Sequence, residues 1–310
     1  MTLLNSSLFA ISIVIPTRDR PGLLADAVAS ALHALRGIAG EVVVVDDGSV
    51  VSPASSLADI QSPKLCIHTN RRSRGASGSR NTGVEHARGE LVAFLDDDDL
   101  LRPGYLHWIL SVASREPTIA YGFSSIRRLT NAIVTPQIDE FRSTLSKPIA
   151  DLPLRKRLAG LGCGFWVRRS VFLHLGGLDE TISVNEDTDF CLALLAQAFV
   201  GVYSPEPGVI VRSFTLTCNV NRASVTKTTQ YLDRARNFEA ILVKHQQYLS
   251  QSGLRLHMLL RLLKMAAKED ERGLAAHAIS TWGSDNYFVC WLYYYCKLLS
   301  GIYEKMRCLR

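Results

Sequence analysis

The chain has 310 residues, of which 47% are hydrophobic and 21% are charged, a composition that excludes a disordered chain and is typical of a folded globular protein. Its net charge of +6 lies in the C-terminal third, because residues 213–310 hold 14 basic and 7 acidic residues. This surplus is compatible with nucleic acid, an anionic membrane surface or solvated helix faces. No run of about 18 uncharged apolar residues occurs, so no transmembrane helix is predicted.

The seven cysteines have irregular spacing and form no CxxC pair, which predicts reduced thiols in a cytoplasmic protein. The N-terminal segment "TLLNSSLFAISIVIP" holds neither a basic stretch nor a small-residue cleavage site. It therefore predicts a first strand and no signal peptide.

Apolar runs alternate with helical patterns along the first part of the chain. Continuous apolar runs suit strands that are covered on both faces, and apolar residues at helical spacing suit a helix. The predicted elements are strand 9–16, helix 21–35, strand 41–49, strand 64–70, helix 78–88 and the strand before the aspartates at 96–99. The alternation predicts an α/β fold with a Rossmann-like, mostly parallel sheet flanked by helices.

The pattern loosens over residues 119–150, where "TIAYGFSSI" and "NAIVTP" are short strand candidates. A strand is predicted at 162–169 and a helix at 187–199. Beyond residue 215 helical patterns dominate, with helices predicted at 227–249, 254–268, 272–281 and 286–306. The sequence therefore predicts an α/β domain over 1–215 and a helical C-terminal region over 216–310.

Polar clusters follow three of the predicted strands: "PTRDR" the first, "DDGS" the second and "DDDD" the fourth. The carboxyl ends of parallel strands meet at one edge of a sheet, where doubly wound folds bind ligands. We therefore expect the clusters to converge, although Asp46, Asp47 and Gly48 alone also fit an ordinary turn.

The four consecutive aspartates, Asp96 to Asp99, would repel one another unless positive charge lies nearby. Carboxylates are hard oxygen ligands that suit Mg²⁺ or Mn²⁺, which commonly bind one or two of them together with substrate phosphates. The alternative is a solvated acidic turn in which Asp98 or Asp99 caps a helix predicted at 104–114.

Four segments resemble family 2 glycosyltransferases in their order and spacing: "SIVIPTRDRPGLLADAVAS", "VVVVDDGS", "GASGSRNTGVEHARGELVAFLDDDDLLRPGYL" and "GGLDETISVNEDTDFCLALLAQAF". The resemblance spans residues 10–212. It implies an inverting enzyme of the GT-A fold that uses a nucleotide-activated sugar, and it does not specify the sugar.

The resemblance also implies a nucleotide-sugar site at the three strand ends and in the loop "GASGSRN". Its residues are Pro16, Thr17, Arg18 and Asp19 at the base, Asp46, Asp47 and Gly48 next to them, Gly75 and Arg80 near the nucleotide, and Asp97 near the ribose. Asp96 and Asp98 correspond to the metal-binding pair, for Mn²⁺ or Mg²⁺. Arg18 stands where relatives often have an aromatic residue, and its guanidinium plane can also stack on a base.

Inverting transfer needs a carboxylate that deprotonates the acceptor hydroxyl, and "NEDTDF" at 185–190 offers three acids. The resemblance makes Asp187 the general base and Glu186 a residue that supports acceptor binding. Asp189 also fits helix capping, a common role for acids at a helix start. Relatives often carry a histidine farther along the chain; "VIVRSFTLTCN" has none, so Arg212 becomes a candidate for contact with the diphosphate.

Several residues near these motifs keep two interpretations. Arg71, Arg72 and Arg74 fit either phosphate contacts or a solvated loop, and Trp166 fits either an acceptor contact or the core. The basic and aromatic segment 254–307 fits peripheral contact with the cytoplasmic face of a membrane, packing on the α/β domain, or a homodimer contact.

The expected function is transfer of one sugar from a nucleotide sugar, with a UDP-sugar favoured, to a glycan or lipid-linked acceptor, as in polysaccharide and cell-envelope biosynthesis. The alternative is a catalytically inactive glycosyltransferase-like interaction module. A nucleotidyltransferase fits less well, because "IPTRDRPG" lacks the glycine-rich loop which that class needs. No nucleic-acid-binding motif occurs, and nucleic acid is not an expected partner.

Overall fold

A computed structural model describes residues 9–130, 139–162, 164–213 and 229–308, with side chains up to residue 301. The strand candidate "NAIVTP" and the predicted domain boundary at 215 lie outside these residues. Within them, nine strands form one sheet in the order β3-β2-β1-β4-β8-β6-β9-β5, with β7 paired to β9. The strands are β1 (Phe9–Thr17), β2 (Gly40–Asp46), β3 (Leu65–Thr69), β4 (Gly89–Phe94), β5 (Leu100–Leu101), β6 (Ile119–Thr130), β7 (Lys147–Pro148), β8 (Trp166–Arg168) and β9 (Val200–Ser213).

The four strands β3, β2, β1 and β4 are parallel, as the apolar runs predicted. Residues 42–45 of β2 are fully buried, which agrees with a strand covered on both faces. In the register, Thr17 at the end of β1 pairs with Asp46 at the end of β2. Phe94 at the end of β4 pairs with Val14. The three polar clusters therefore follow their strands at the same edge of the sheet.

The other half of the sheet is mixed. Strand β8 is antiparallel to β4 and β6, whereas β6 and β9 are parallel to each other. The long strand β9 was not predicted; it contains Pro205 and Pro207, and proline is rare inside strands. The pairing of β6 with β9 shifts register on both sides of Ser125, opposite this stretch. Trp166 of β8 is fully buried, so the core interpretation of this residue is correct.

In the described ranges, five α-helices accompany the strands in this part of the chain. They are α1 (Pro21–Ala34), α2 (Pro53–Ser56), α3 (Ala76–His86), α4 (Tyr105–Arg115) and α5 (Arg169–His174). Helix α1 begins with a proline, which fits the first turn, and buries Leu24, Val28 and Ala31 in the same core as Ile13 and Val44.

The described residues divide into two compact units. The sheet unit holds the residues through Leu152, those of Ala159–Glu180 and those from Gln197 to the end of β9. The helical unit holds Pro153–Leu158, Thr181–Ala196 and the helices from Tyr231 onward. This division differs from the predicted one, because the segment with Glu186 and Asp187 groups with the C-terminal helices.

The helical unit has a core of its own, to which Phe238, Leu262 and Ile279 contribute. Its helices are α6 (Glu186–Ala196), α7 (Tyr231–Lys244), α8 (Gln246–Ser252), α9 (Arg255–Lys268), α10 (Arg272–Trp282) and α11 (Tyr287–Cys308). The helix predicted at 227–249 is therefore two helices that meet at His245. Among the helices in the described ranges, none is both long and apolar enough to cross a membrane.

Candidate active site

The Asp47 carboxylate organises the loop between β3 and α3. It accepts hydrogen bonds from Asn70 Nδ2 at 2.7 Å, from the backbone N–H of Gly75 at 2.9 Å and from Ser79 Oγ at 3.2 Å. Gly75 has a φ of +117°, a conformation that favours glycine, and α3 begins directly after it. Asp47 is therefore a buried anchor of this loop, and Asn70 and Ser79 belong to a network that sequence reasoning missed.

Asp46 lies in a tight turn at the end of β2. Its carboxylate accepts the backbone N–H of Ser49 at 2.9 Å, which realises the turn geometry expected of an Asp-Asp-Gly segment. Gly48 has a φ of +80°, and a Cβ on it would lie 2.9 Å from a terminal nitrogen of Arg74. Arg74 thus packs over this turn, a contact that a side chain at residue 48 would obstruct.

The segment after β1 pairs with the same turn. Asp19 has a φ of +53°, accepts the backbone N–H of Val50 at 2.7 Å and donates its own backbone N–H to Ser49. The preceding Arg18 is half-exposed, and Pro16 is half-buried. The predicted base-site residues of β1 and β2 therefore lie together, with a guanidinium open to solvent.

Arginine side chains supply the positive charge next to the four aspartates. Arg20 lies 2.9 Å from an oxygen of Asp97 and 3.1 Å from an oxygen of Asp98. Thr17 donates its hydroxyl to the other oxygen of Asp97 at 2.8 Å. Both carboxylate oxygens of the buried Asp97 are therefore used within the protein, and its predicted place near the ribose stays a prediction.

Two more arginines complete the charge pairing. Arg80 donates to Asp96 across 2.7 Å, and Arg212 donates its backbone N–H to Asp99 and its side chain to the backbone carbonyl of Asp98. The Arg212 guanidinium also forms an ion pair of 2.6 Å with Asp26. The Arg212 side chain is therefore buried and used by Asp26 and the Asp98 carbonyl. The sequence had made it a candidate for contact with a diphosphate, and the structure places it in these contacts instead.

Three of the aspartates fit a divalent cation. One carboxylate oxygen each of Asp96, Asp98 and Asp99 lies within 4.8 Å of the others. The side chains of Asp96 and Asp98 are 36% and 33% exposed, so solvent or a substrate phosphate can complete the coordination. The cluster and its ion-paired neighbours comprise five aspartates, which are Asp26 and the four of 96–99, and three arginines, which are Arg20, Arg80 and Arg212. With every carboxyl ionised, this group has an excess of two negative charges, which one divalent cation would balance.

The pKa values of the cluster reflect the same excess of negative charge. Burial raises the pKa of Asp98 to about 6, with a further contribution from the Asp96 carboxylate. Burial, followed by the charges of Asp96 and Asp98, raises the pKa of Asp99 to about 9. A cation bound among these groups would favour their ionised forms.

The segment before β8 approaches the acidic cluster closely. A Cβ on Gly162 would lie 2.4 Å from Asp96 Oδ2, so only the absence of a side chain permits this contact. Sequence reasoning did not single out Gly162.

Glu180 ties the α3 loop together on the sheet unit. It accepts hydrogen bonds from Asn81 Nδ2 at 2.8 Å, from the backbone N–H of Ser73 at 3.1 Å and from Arg72 at 2.5 Å. Arg72 also pairs with Glu85. Arg72 therefore has a structural role in this loop, which favours the solvated-loop interpretation for this arginine.

The acids of the "NEDTDF" segment begin α6 in the helical unit. Asp189 is buried and lies 2.8 Å from Lys244 Nζ and 2.7 Å from His245 Nε2. Its role is thus an ion-paired contact with α7 and not the expected helix capping. Asp187 accepts the backbone N–H of Thr188 and interacts electrostatically with Arg261. Glu186 stands beside it in the first turn.

These observations define an α/β fold in which the ends of parallel strands bring an anchored loop to an acidic cluster, at the edge where such sheets bind ligands. The sequence model of "Glycosyl transferase family 2" matches residues 12–176, more than half of the chain. The protein therefore belongs to family 2 of the glycosyltransferases and is a glycosyltransferase, as the motifs predicted.

Three known proteins illustrate the similarity. "Succinoglycan biosynthesis protein ExoU" of Rhizobium meliloti (strain 1021) is 29% identical over 262 residues, which cover 77% of this chain and 75% of that protein. The fold resembles S. aureus TarS 1–349 in complex with UDP-GlcNAc, with a TM-score of 0.61, 15% identity and coverage of 91% and 90%. It also resembles GalNAc-T7 with UDP, GalNAc and Mn²⁺, with a TM-score of 0.55, 17% identity and coverage of 77% and 48%. The GT-A fold prediction is confirmed.

Proposed function

We propose that the protein transfers one sugar from a nucleotide sugar, most favourably a UDP-sugar, to a hydroxyl group of a glycan or lipid-linked glycan, with inversion at the anomeric carbon. The observation that carries the proposal is the Asp47-anchored loop beside the acidic trio of Asp96, Asp98 and Asp99 at one sheet edge. The likeness to a protein solved with UDP-GlcNAc supports the donor class. A relative named for succinoglycan biosynthesis supports a polysaccharide acceptor.

In this proposal the nucleotide binds along the strand ends. Asp46 would accept a hydrogen bond from the base, while the exposed Arg18 stacks on it. A Cβ on Gly75 would meet no atom within 4 Å, so this glycine leaves the backbone open to close approach, whereas Arg74 covers the turn at Gly48. Arg80 holds Asp96 in place from α3 and so positions the acidic trio toward the donor.

A divalent cation, Mg²⁺ or Mn²⁺, would be held by Asp96 and Asp98, with Asp99 as a further oxygen donor. When bound, it would offset the charge that develops on the nucleotide diphosphate as it leaves. Arg20 keeps the Asp98 carboxylate oriented, because it pairs with that carboxylate and with the buried Asp97 at once.

The acceptor needs a base. Asp187 would take the proton from the acceptor hydroxyl while that oxygen forms the new bond to the anomeric carbon and the bond to the diphosphate breaks. Glu186 would hydrogen-bond the acceptor. The firm pairing of Asp189 with Lys244 and His245 fixes the helix that carries both acids.

The test is calorimetric binding of UDP, dTDP, GDP and CDP, each with and without Mn²⁺, to the wild type and to Asp98→Asn. We expect metal-dependent binding of one nucleotide, UDP, which the Asp98→Asn variant loses. Asp59→Asn, an exposed aspartate of the same unit, is the matched control and should bind as the wild type does. Binding of no nucleotide under any condition would favour the catalytically inactive interaction module.

A further inference from the structure

The last helix, α11, has two faces with opposite surroundings. Cys290, Tyr294 and Leu298 are buried in the core of the helical unit. The residues on the opposite side are large, apolar and exposed: Phe288 by 77%, Leu292 by 54%, Tyr295 by 44% and Leu299 by 64%. We call these four residues the apolar face.

The spacing of the apolar face makes it a continuous stripe. Its members follow one another at intervals of four, three and four residues, which places them on one side of a helix. Tyr287 and Val289 are also exposed, by 56% and 50%, and widen the stripe at its start. A contiguous exposed apolar patch of this kind marks an interaction surface, whereas single exposed apolar residues need no explanation.

The part of the helix that carries the stripe holds a single charged residue, and it is basic. Residues 287–303 contain no Asp or Glu, and their only charged residue is Lys297. Lys268 of α9 reaches the later part of the helix, since a Cβ on Gly301 would lie 4.0 Å from its Nζ. Residues 213–310 as a whole carry seven more basic than acidic residues. The stripe is therefore an apolar surface on a helix whose one charge over residues 287–303 is positive, in a part of the sequence with a basic surplus. Asp270 contacts the buried side of this helix, where it accepts a hydrogen bond from Tyr294.

The exposed side of the helix also holds aromatic rings. Tyr287 and Tyr295 are 56% and 44% exposed beside Phe288, whereas Tyr294 is buried in the core. Tyrosine and tryptophan have an apolar ring and a polar end, so they suit the boundary between lipid headgroups and acyl chains.

We propose that α11 binds the surface of an anionic membrane, with the apolar face inserted at the headgroup boundary and the basic residues next to lipid phosphates. Such helices bind through buried apolar area combined with attraction to anionic lipid. A second copy of the chain fits the same stripe less well, because two such regions would bring their positive charges together. The proposal does not depend on the sugar, the acceptor or the metal.

The test is co-sedimentation with vesicles of phosphatidylcholine alone and of phosphatidylcholine mixed with phosphatidylglycerol. The face variant is Leu292→Ser with Leu299→Ser, and the control is Leu145→Ser with Leu173→Ser on the sheet unit. The two leucines of the control are 64% and 45% exposed, close to the 64% and 54% of the face variant. All four side chains are exposed, so both variants should retain the thermal unfolding midpoint of the wild type.

We expect the wild type and the control to bind the anionic vesicles, with binding weakened by added salt, and the face variant to bind about tenfold more weakly. UDP binding should be equal in all three proteins. Equal vesicle binding by the face variant and the control, or no binding of the wild type to anionic vesicles, would overturn the proposal. Sedimentation velocity adds a further check, since self-association that only the face variant loses, without vesicle binding, would assign the stripe to a second copy.

Discussion

The carboxylate of Asp47 accepts the backbone N–H of Gly75 across 2.9 Å, although 28 residues separate them in the chain. This bond joins the end of β2 to the start of α3 and leaves Gly75 in the left-handed region of φ. One aspartate thus shapes the loop whose glycine and arginine were predicted to approach the nucleotide. The motif residues "DDGS" and "GASGSRN" act as one structural unit.

Replacement of Asp47 by Asn should therefore loosen this loop. The carboxylate accepts three hydrogen bonds through its two oxygens. In asparagine one of these oxygens becomes an NH₂ group, which cannot accept, so at least one of the three hydrogen bonds is lost. We expect the free energy of unfolding to fall by about 1–3 kcal/mol, and nucleotide affinity to fall with it. Urea unfolding and calorimetry measure the two effects. The exposed Asp59→Asn serves as control, and an unchanged stability for Asp47→Asn would contradict the anchoring role.

Removal of Arg20 should destabilise the sheet unit through Asp97. Arg20→Ala leaves the buried Asp97 carboxylate with the Thr17 hydroxyl but without its guanidinium. Breaking a buried ion pair from one side costs about 3–5 kcal/mol, and partial solvent access to Arg20 places this case near the lower limit. Urea unfolding measures the loss.

The conservative variant Arg20→Lys separates charge from geometry. A lysine restores the positive charge but cannot span Asp97 and Asp98 with one planar group. It should recover part of the stability while Mn²⁺ affinity, measured by calorimetry, stays below that of the wild type. Full recovery of both quantities would mean that charge alone matters at residue 20.

Addition of a single methyl group at Gly162 should weaken the proposed metal site. The new Cβ would lie 2.4 Å from Asp96 Oδ2, so the carboxylate must move away from its present position. We expect Mn²⁺ affinity to fall by about tenfold, because ligand orientation commonly controls affinity to this extent. In Gly22→Ala the methyl group meets no atom within 4 Å, and this control should bind Mn²⁺ normally.

Much of the fold was predictable from local patterns. Continuous apolar runs identified β1, β2 and β4 because these strands are buried on both faces, and the polar residues directly after them marked the site edge. Strand β9 was not predicted, because it contains Pro205 and Pro207 and proline is rare inside strands. Its pairing with β6 shifts register next to these prolines.

The partners of the acidic residues were not predictable by the same means. Arg20 pairs with Asp97 over 77 residues, and Arg212 donates to the Asp98 carbonyl over 114 residues. Asp189 likewise meets His245 over 56 residues. Sequence spacing describes one element at a time, whereas these contacts depend on how distant elements pack. The carboxylates and a cation to balance them were therefore predictable, whereas the arginines that pair with them were not.

The stability of the α3 loop should depend on pH through Glu180. Burial acts to raise the pKa of Glu180, but hydrogen bonds from Asn81, Ser73 and Arg72 outweigh it and lower the pKa from 4.5 to about 2. A lowered folded-state pKa stabilises the protein above pH 4.5, and this contribution disappears as pH falls from 4.5 to about 2.

The comparison of wild type with Glu180→Gln measures this contribution. At pH 7 the variant should be less stable than the wild type, and the difference should shrink as the pH approaches 3. Unfolding by urea at several pH values gives the two curves. Glu116→Gln, an exposed glutamate of the same unit, should follow the wild type at every pH. A difference that stays constant with pH would exclude an ionised Glu180 as the stabilising group.

The acids at residues 187 and 189 should differ in what their loss changes. Asp187→Asn removes the proposed base and should lower the transfer rate by about a hundredfold or more, with UDP affinity unchanged. Asp189→Asn replaces a buried carboxylate by an amide and weakens its contacts with Lys244 and His245, so it should lower the free energy of unfolding by about 2 kcal/mol. Transfer assays, calorimetry and urea unfolding on both variants separate the two roles. An active Asp187→Asn enzyme would move the base to Glu186. A variant that loses stability as Asp189→Asn does, and keeps its transfer rate, would make Asp187 a structural residue.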